Sequence, residues 1–254
     1  MQLKNKKAII TGGSQGIGKG IAIALAKAGA DIILQYRTAE DKAFATINEI
    51  KNLGRMATAL QSDFNENDSP EKFIESSLKE LKTADILVNC AAAYERGSFL
   101  EITKETFSWM HKINVEVPLR LIQKFSQHLI DRKTSGSIIN ISSISSLSPV
   151  NGSCLNSCSK ASLNMLTQCG ALELAKYQIR VNGIAPGATE TESNLPYIKQ
   201  DPEIWRQTIQ KIPLARAGKP EDYAGLAVFL ASDESSWLTE VTIPVDGGSI
   251  ISWQ

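Results

Sequence analysis

The sequence has few of the residues that build disulfide-rich or metal-binding proteins. Four cysteines, at positions 90, 154, 158 and 169, and two histidines occur among 254 residues. No histidine or further cysteine stands at an interval that would complete a metal site with Cys154 and Cys158. We therefore expect reduced thiols, no disulfide framework and no bound metal.

Long apolar segments and an excess of charge of one sign are also missing. No stretch is long enough to span a bilayer, and the polar residues 1–7 lack the apolar core of a secretory signal. Lys plus Arg balance Asp plus Glu at 27 each, so no overall field attracts nucleic acid or an anionic membrane. These absences predict a cytoplasmic protein that acts on a small molecule, without nucleic-acid or membrane partners.

Short apolar runs alternate with longer amphipathic stretches along the whole chain. The predicted strands cover residues 8–10, 31–34, 57–60, 86–88, 137–141, 180–184 and 241–245, and predicted helices lie up to residue 29 and at 39–53, 70–82, 104–132 and 154–177. Strands this short, each followed by a helix, pair in parallel with both sheet faces covered. We predict one α/β domain over residues 1–254, with a doubly wound parallel sheet of about seven strands.

Residues 188–213 break this alternation. The segment follows a predicted strand and mixes three prolines with Tyr197 and Trp205. A segment over the carboxyl ends of strands is typical of a substrate lid, and a loop with an ordinary surface helix is the alternative.

A glycine-rich turn, TGGSQGIG at residues 11–18, follows the first predicted strand and opens a helix. Glycines let the backbone approach a diphosphate closely, and the free N–H groups and dipole of the helix start attract its charge. A nucleoside-triphosphate site is disfavoured because Gly20 stands where a magnesium-binding Ser or Thr is required. The turn therefore indicates a dinucleotide.

The same turn resembles the TGxxxGIG signature of the short-chain dehydrogenase/reductase family. Further segments resemble that family in its order, namely Asn89–Ala92 (its NNAG), Asn114 in Ile-Asn-Val, Asn140–Ser143 (the strand ending in the active-site serine), Arg180–Gly187 (RVNxIxPG) and Val245–Gly248 (VDGG). The resemblance, which is closest to the glucose 1-dehydrogenase and 3-oxoacyl-carrier-protein reductase branch, implies a Rossmann-type fold. It also implies hydride transfer between a nicotinamide cofactor and a small carbonyl or alcohol.

The resemblance implies a set of cofactor-binding residues along the carboxyl edge of the sheet. They are Gly12, Ser14, Gln15, Gly16, Ile17, Gly18, Arg37, Asp63, Phe64, Asn89, Ala91, Lys160, Pro186, Gly187, Thr189 and Thr191. Arg37 follows the second strand, where an acidic residue would bind the ribose of NAD, and an arginine there suits a 2′-phosphate. We expect NADP(H) rather than NAD(H), although a solvated Arg37 and the neutral Gln15 leave NAD(H) open.

The resemblance also assigns catalytic positions to Ser143, Lys160 and Asn114. In the family a tyrosine that exchanges the proton stands four residues before the lysine and thirteen after the serine. Both counts reach Asn156 here. A carboxamide does not ionise near neutral pH and cannot act as acid or base. Tyr94, Tyr197 and Lys160 remain as candidate proton donors, or the tyrosines simply pack.

Three interpretations of Asn156 stay open. The chain is an oxidoreductase with altered proton transfer, a catalytically silent dinucleotide- or ligand-binding protein such as a sensor or partner subunit, or a working enzyme changed at this position. The resemblance further implies a homotetramer or homodimer formed through the helices at 104–132 and 154–177. The apolar Ile250, Ile251 and Trp253 either join that interface or pack on their own domain.

Overall fold

One parallel sheet organises the chain in the computed structural model, which describes residues 1–252. Its strands are β1 (Lys7–Ile10), β2 (Asp31–Tyr36), β3 (Ala57–Gln61), β4 (Ile86–Asn89), β5 (Gly136–Ile141), β6 (Ile179–Pro186) and β7 (Thr242–Val245). They lie in the order β3-β2-β1-β4-β5-β6-β7, and every neighbouring pair is parallel. The predicted doubly wound α/β fold is confirmed.

Helices cover both faces of this sheet. They are α1 (Gly16–Lys27), α2 (Glu40–Asn52), α3 (Ser69–Leu81), α4 (Lys104–His111), α5 (Val117–Arg132), α6 (Cys154–Leu174), α7 (Leu195–Gln200), α8 (Pro202–Gln210), α9 (Ala224–Ala231) and α10 (Ser249–Ser252). Ile10 packs with α1 and α9 in one apolar cluster, whereas its neighbour Ile9 packs with α3 and α5 in the other. Successive strand residues point to opposite faces, so both must be apolar, which explains the uninterrupted apolar runs.

The single helix predicted over 104–132 is interrupted. A five-residue π-helical turn, Lys112–Glu116, separates α4 from α5. Pro118 has no N–H to bond the carbonyl of Asn114 four residues earlier, so regular α-helical bonding fails at this point. The irregular turn places the buried Asn114 beside the carboxyl edge of the sheet.

The strand order reverses between β1 and β4. The chain builds β2 and β3 on one side of β1 and then crosses to β4 on the other side. Ligands of open α/β sheets bind in the crevice outside the carboxyl ends of the strands at such a reversal. The turns that follow β1, β2, β4, β5 and β6 therefore surround the candidate site.

Residues 188–213 carry α7 and α8 and lie over this crevice. Tyr197 of α7 packs edge-on against Tyr94, which follows β4, with ring centroids 5.8 Å apart.

Within residues 1–252, no helix combines the length and apolar character needed to cross a membrane. The same described part of the chain has no cluster of three or more His, Cys, Asp or Glu suited to a metal ion.

Candidate active site

The glycine turn after β1 packs directly on the end of β4. Gly12 has a φ of +64°, and a Cβ there would lie 3.0 Å from the Ala91 main chain. A Cβ on Gly18 would overlap the carbonyl oxygen of Gly12. Thr11, which the sequence analysis passed over, accepts hydrogen bonds through Oγ1 from the main-chain N of Cys90 at 2.9 Å and of Ala91 at 3.0 Å. The absence of side chains at Gly12 and Gly18 thus lets the turn pack closely on itself and on the end of β4.

A buried glutamine fixes the other side of this turn. Gln35 of β2 accepts from the Gly12 N–H at 2.9 Å and donates from Nε2 to the Ser62 carbonyl at 2.6 Å. Gln35 is 3% exposed, and the two bonds hold the turns after β1 and β3 together. Sequence reasoning did not identify Gln35, because its partners lie in the turns that follow two other strands.

The first amide of α1 holds an anion supplied by the chain itself. The Gly16 N–H donates to Glu192 Oε2 at 3.0 Å, and Gln15, the N-cap residue, gives no side-chain cap. Ser14 is buried beneath the turn and Ile17 is half-buried. This contact shows that the amide is placed to bind an anion, which is what a dinucleotide diphosphate would require. The turn therefore fits a dinucleotide.

Two cations lie near the turn after β2. Arg37 is exposed, and its guanidinium has no ion pair or hydrogen bond within the part of the chain that the structure describes. Lys42 of α2 donates from Nζ to Gln15 Oε1 at 2.8 Å. That bond joins α2 to the glycine turn and places a positive charge beside the neutral Gln15.

Asp63 and Phe64 follow β3 in different environments. The Asp63 carboxylate accepts from the main-chain N and from Nδ2 of Asn65, at 2.9 and 2.8 Å. Phe64 is buried and packs edge-on against Phe73 of α3, with ring centroids 5.9 Å apart. Asp63 thus stays partly exposed with one carboxylate oxygen engaged, while Phe64 anchors the turn in the core.

Ser143, which follows β5, is linked to Asn156 by hydrogen bonds through a third residue. Ser143 Oγ accepts from Ser145 Oγ at 3.0 Å and from the main-chain N of Ser145 at 3.1 Å. Asn156 Nδ2 donates to Ser145 Oγ at 2.9 Å. Asn156 therefore acts on Ser143 through Ser145, which the sequence analysis did not single out.

Lys160 lies one turn after Asn156 on α6 and is 6% exposed. Its Nζ donates to the Ile141 carbonyl at 2.7 Å. Burial lowers the pKa of Lys160 to about 8, and the nearby thiol of Cys90 has a pKa raised to about 11, also by burial. Lys160 is thus a buried amine that exchanges its proton close to neutral pH.

The Asn114 side chain braces the site and does not bond to Ser143 or Lys160. Its Nδ2 donates to the Ala93 carbonyl at 2.9 Å and to Ser159 Oγ at 3.0 Å, and its Oδ1 accepts from the Ala93 N–H at 2.8 Å. These bonds join the π-helical turn, the loop after β4 and α6.

Asn89 lies below the crevice. Its Nδ2 donates to Asn140 Oδ1 at 2.8 Å, and Asn140 Nδ2 donates to Thr167 Oγ1 at 2.9 Å. All three residues are buried. Asn89 therefore ties the ends of β4 and β5 to α6, whereas Ala91 lies higher, against Gly12.

The two threonines after β6 differ in their surroundings. Pro186 ends the strand, and Thr189 Oγ1 donates to the Gly187 carbonyl at 2.8 Å while also bonding the Tyr223 hydroxyl. Thr189 is buried, so these bonds fix the start of the 188–213 segment. Thr191 faces the glycine turn, since a Cβ on Gly16 would lie 3.4 Å from its Cβ.

Tyr94 approaches the amino end of α6 from the loop after β4. Its hydroxyl lies 3.4 Å from Ser153 Oγ, and its ring packs on Tyr197. Ser153 is one turn before Asn156. The two tyrosines therefore pack against each other at the mouth of the crevice.

Comparison with known proteins agrees with this geometry. A family profile described as enoyl-(acyl carrier protein) reductase matches residues 12–249. Glucose 1-dehydrogenase 2 of Bacillus subtilis is 32% identical over 248 residues, which cover 97% of this chain and 95% of the relative. The 3-oxoacyl-[acyl-carrier-protein] reductase of Staphylococcus epidermidis is 33% identical over 244 residues, covering 96% and 98%.

A solved structure extends the comparison to three dimensions. The 3-oxoacyl (acyl-carrier-protein) reductase from Agrobacterium tumefaciens, with NADP bound, has a TM-score of 0.90 and 31% identity, with coverage of 96% of this chain and 94% of the other. This degree of similarity in sequence and structure agrees with the sheet order and the glycine turn described above. The chain belongs to the short-chain dehydrogenase/reductase family of oxidoreductases.

Proposed function

We propose that the chain is an NADP(H)-dependent oxidoreductase that acts on a small carbonyl or alcohol. The observation that carries this proposal is the hydrogen bond from the Gly16 amide at the start of α1 to a carboxylate, because a diphosphate requires the same kind of donor. When bound, the nicotinamide cofactor supplies or accepts the hydride. The remaining chemistry belongs to side chains of this protein.

The proposed cofactor site extends along the carboxyl edge of the sheet. The backbone of Gly12 and residues 16–18 receives the diphosphate, with Ser14 beneath it. Asp63, anchored by Phe64, faces the adenine, and Asn89 and Ala91 shape the floor. At the nicotinamide end lie Pro186, Gly187, the Thr189–Thr191 segment and Lys160, which bonds the ribose.

The preference for NADP(H) rests on charge. Arg37 presents a guanidinium that suits a phosphate, and Lys42 contributes an ammonium that bonds Gln15. The relative from Agrobacterium tumefaciens holds NADP. We infer that the 2′-phosphate lies between these two cations.

The proposed proton path avoids Asn156. We infer that Asn156 occupies the position of the family's tyrosine and orients Ser145, so that Ser145 donates to Ser143 and the Ser143 proton points to the substrate oxygen. In carbonyl reduction the substrate oxygen would take its proton from Lys160 Nζ, directly or through water. Lys160 becomes neutral and is reprotonated from solvent.

Three further features belong to the same proposal. Residues 188–213 act as a lid, since Tyr197 already packs on Tyr94 at the crevice. The chain forms a homotetramer or homodimer through α5 and α6, where Met165 and Leu172 are exposed. Ile251 at the end of the described chain is also exposed, and Trp253 lies outside the described residues. The four unpaired cysteines suit a cytoplasmic location, which cell fractionation tests.

Replacing Asn156 tests the proposed proton path. Asn156→Tyr places a phenol beside Lys160, and a restored general acid is worth about 10²- to 10⁴-fold in rate. We expect NADPH-dependent reduction of simple aldehydes and ketones, followed by loss of absorbance at the nicotinamide band, to rise by about 10²-fold.

Asn156→Phe is the matched control, because it adds the same ring without the hydroxyl. Its rate should stay at or below that of the unaltered chain. No gain in Asn156→Tyr, with NADPH bound by all three proteins, would refute impaired proton transfer, and no measurable rate in any of them would favour a catalytically silent dinucleotide-binding protein.

A further inference from the structure

A glutamate of the 188–213 segment, Glu192, places its carboxylate at the start of α1. Glu192 Oε2 accepts from the Gly16 N–H at 3.0 Å, and the next residue, Ser193, accepts at Oγ from Gln15 Nε2 at 3.3 Å. These partners are 176 and 178 residues apart in sequence. Two adjacent contacts therefore hold the lid on the glycine turn.

This contact satisfies a need that α1 does not meet locally. The first turn of α1 contains no acidic residue, and Gln15 does not cap it. A helix start has unpaired N–H groups and a partial positive charge, so it favours an anion. Glu192, although exposed, supplies that anion from a distant part of the chain.

The same N–H groups and dipole are the ones that a cofactor diphosphate requires. A carboxylate and a diphosphate at one helix start would repel each other, and the Gly16 N–H donates along one direction only. Binding of the diphosphate at this amide therefore requires Glu192 to leave it.

We propose that Glu192 is an internal competitor of the cofactor: it latches residues 188–213 onto the glycine turn and is displaced by the dinucleotide diphosphate. The inference rests on the proposed function. It makes Glu192 a residue that sets cofactor affinity and couples cofactor binding to release of the lid. Because the diphosphate is common to NADPH and NADH, the effect is the same for both.

The affinity test uses calorimetric titration of NADPH and NADH into the unaltered chain and into Glu192→Gln and Glu192→Ala. We expect both variants to bind each dinucleotide about threefold to tenfold more tightly, the effect of one charge at a helix start. The ratio of the two affinities should not change. Glu190→Gln is the matched control, since Glu190 is exposed and its main-chain N–H bonds the Gly218 carbonyl.

A second measurement needs no cofactor. Hydrogen exchange of amides in residues 188–213 should be faster in Glu192→Gln than in the unaltered chain, and unchanged in Glu190→Gln. Unchanged exchange, or cofactor affinity that is equal or weaker in both Glu192 variants, would overturn the latch. Faster exchange without dinucleotide binding by any variant would refute the proposed function and the competitor role together, while leaving the contact itself established.

Discussion

Lys160 is the buried cation of the candidate active site, and its protonation should control the direction of the reaction. Burial lowers its pKa from the usual value of a lysine to about 8. Below that pH the amine is charged and donates a proton, and above it the neutral amine accepts one.

These two protonation states predict opposite pH dependences for the two directions of the reaction. Carbonyl reduction should be fastest below about pH 8 and fall as the pH rises through that value, whereas alcohol oxidation should rise over the same range. Initial rates in both directions between pH 6 and pH 10, with saturating cofactor, measure the effect.

Two variants identify the titrating group. Cys90→Ser should leave the midpoint of this change in rate near its original pH, because the buried thiol has a pKa of about 11. Lys160→Met should abolish the pH dependence together with most of the rate. A reduction rate that is flat across pH 8 in the unaltered chain would exclude Lys160 as the donor.

At this scale the sequence predicts residue types within local motifs but not their distant partners. The glycine turn follows from its local residue pattern, and the resemblance to the family assigns Ser143 and Lys160. Ser145, Gln35 and Glu192 follow from neither, because their roles depend on bonds to residues that only tertiary structure brings close. A glutamate after Thr191 has no sequence feature that points to the start of α1.

Elements with a clear periodicity were predicted well, and those without it were not. The central strands match because fully buried strands require continuous apolar runs, whereas the edge strands β3 and β7 are only partly buried. The helix α9 was missed, since its sequence AGLAVFLA is apolar on every face and shows no 3.6-residue pattern. The π-helical turn at Lys112–Glu116 was missed because Pro118 does not by itself distinguish a break from a kink.

Helix α6 carries the prediction that concerns assembly. Met165 and Leu172 are seven residues apart, so they share one face, and Leu172 is 83% exposed. A charge at an apolar subunit contact is costly to bury. We expect light scattering to give two or four times 27.6 kDa for the unaltered chain and a smaller multiple for Leu172→Glu.

Leu53→Glu is the control, because Leu53 is an exposed apolar residue just beyond the end of α2. It should leave the mass unchanged. A monomer in the unaltered chain, or the same assembly with Leu172→Glu, would contradict an interface through α6.

The whole molecule is a scaffold that brings five turns to one edge of the sheet. The parallel order and the reversal between β1 and β4 could be expected from the alternation of strands and helices and from the order of the motifs. The arrangement of the lid could not, because residues 188–213 have no regular pattern and their position depends on contacts with Tyr94, Tyr223 and Gly16.

Calorimetric titration with NADPH and NADH tests the central claim, that the α1 start and Arg37 together bind a dinucleotide. We predict saturable heat for both cofactors, with NADPH bound about tenfold more tightly because a charge-assisted contact to its 2′-phosphate is worth about 1.5–3 kcal/mol and is partly screened at an exposed site. Titrations without heat or fluorescence change for either dinucleotide, in a protein shown to be folded, would contradict the account.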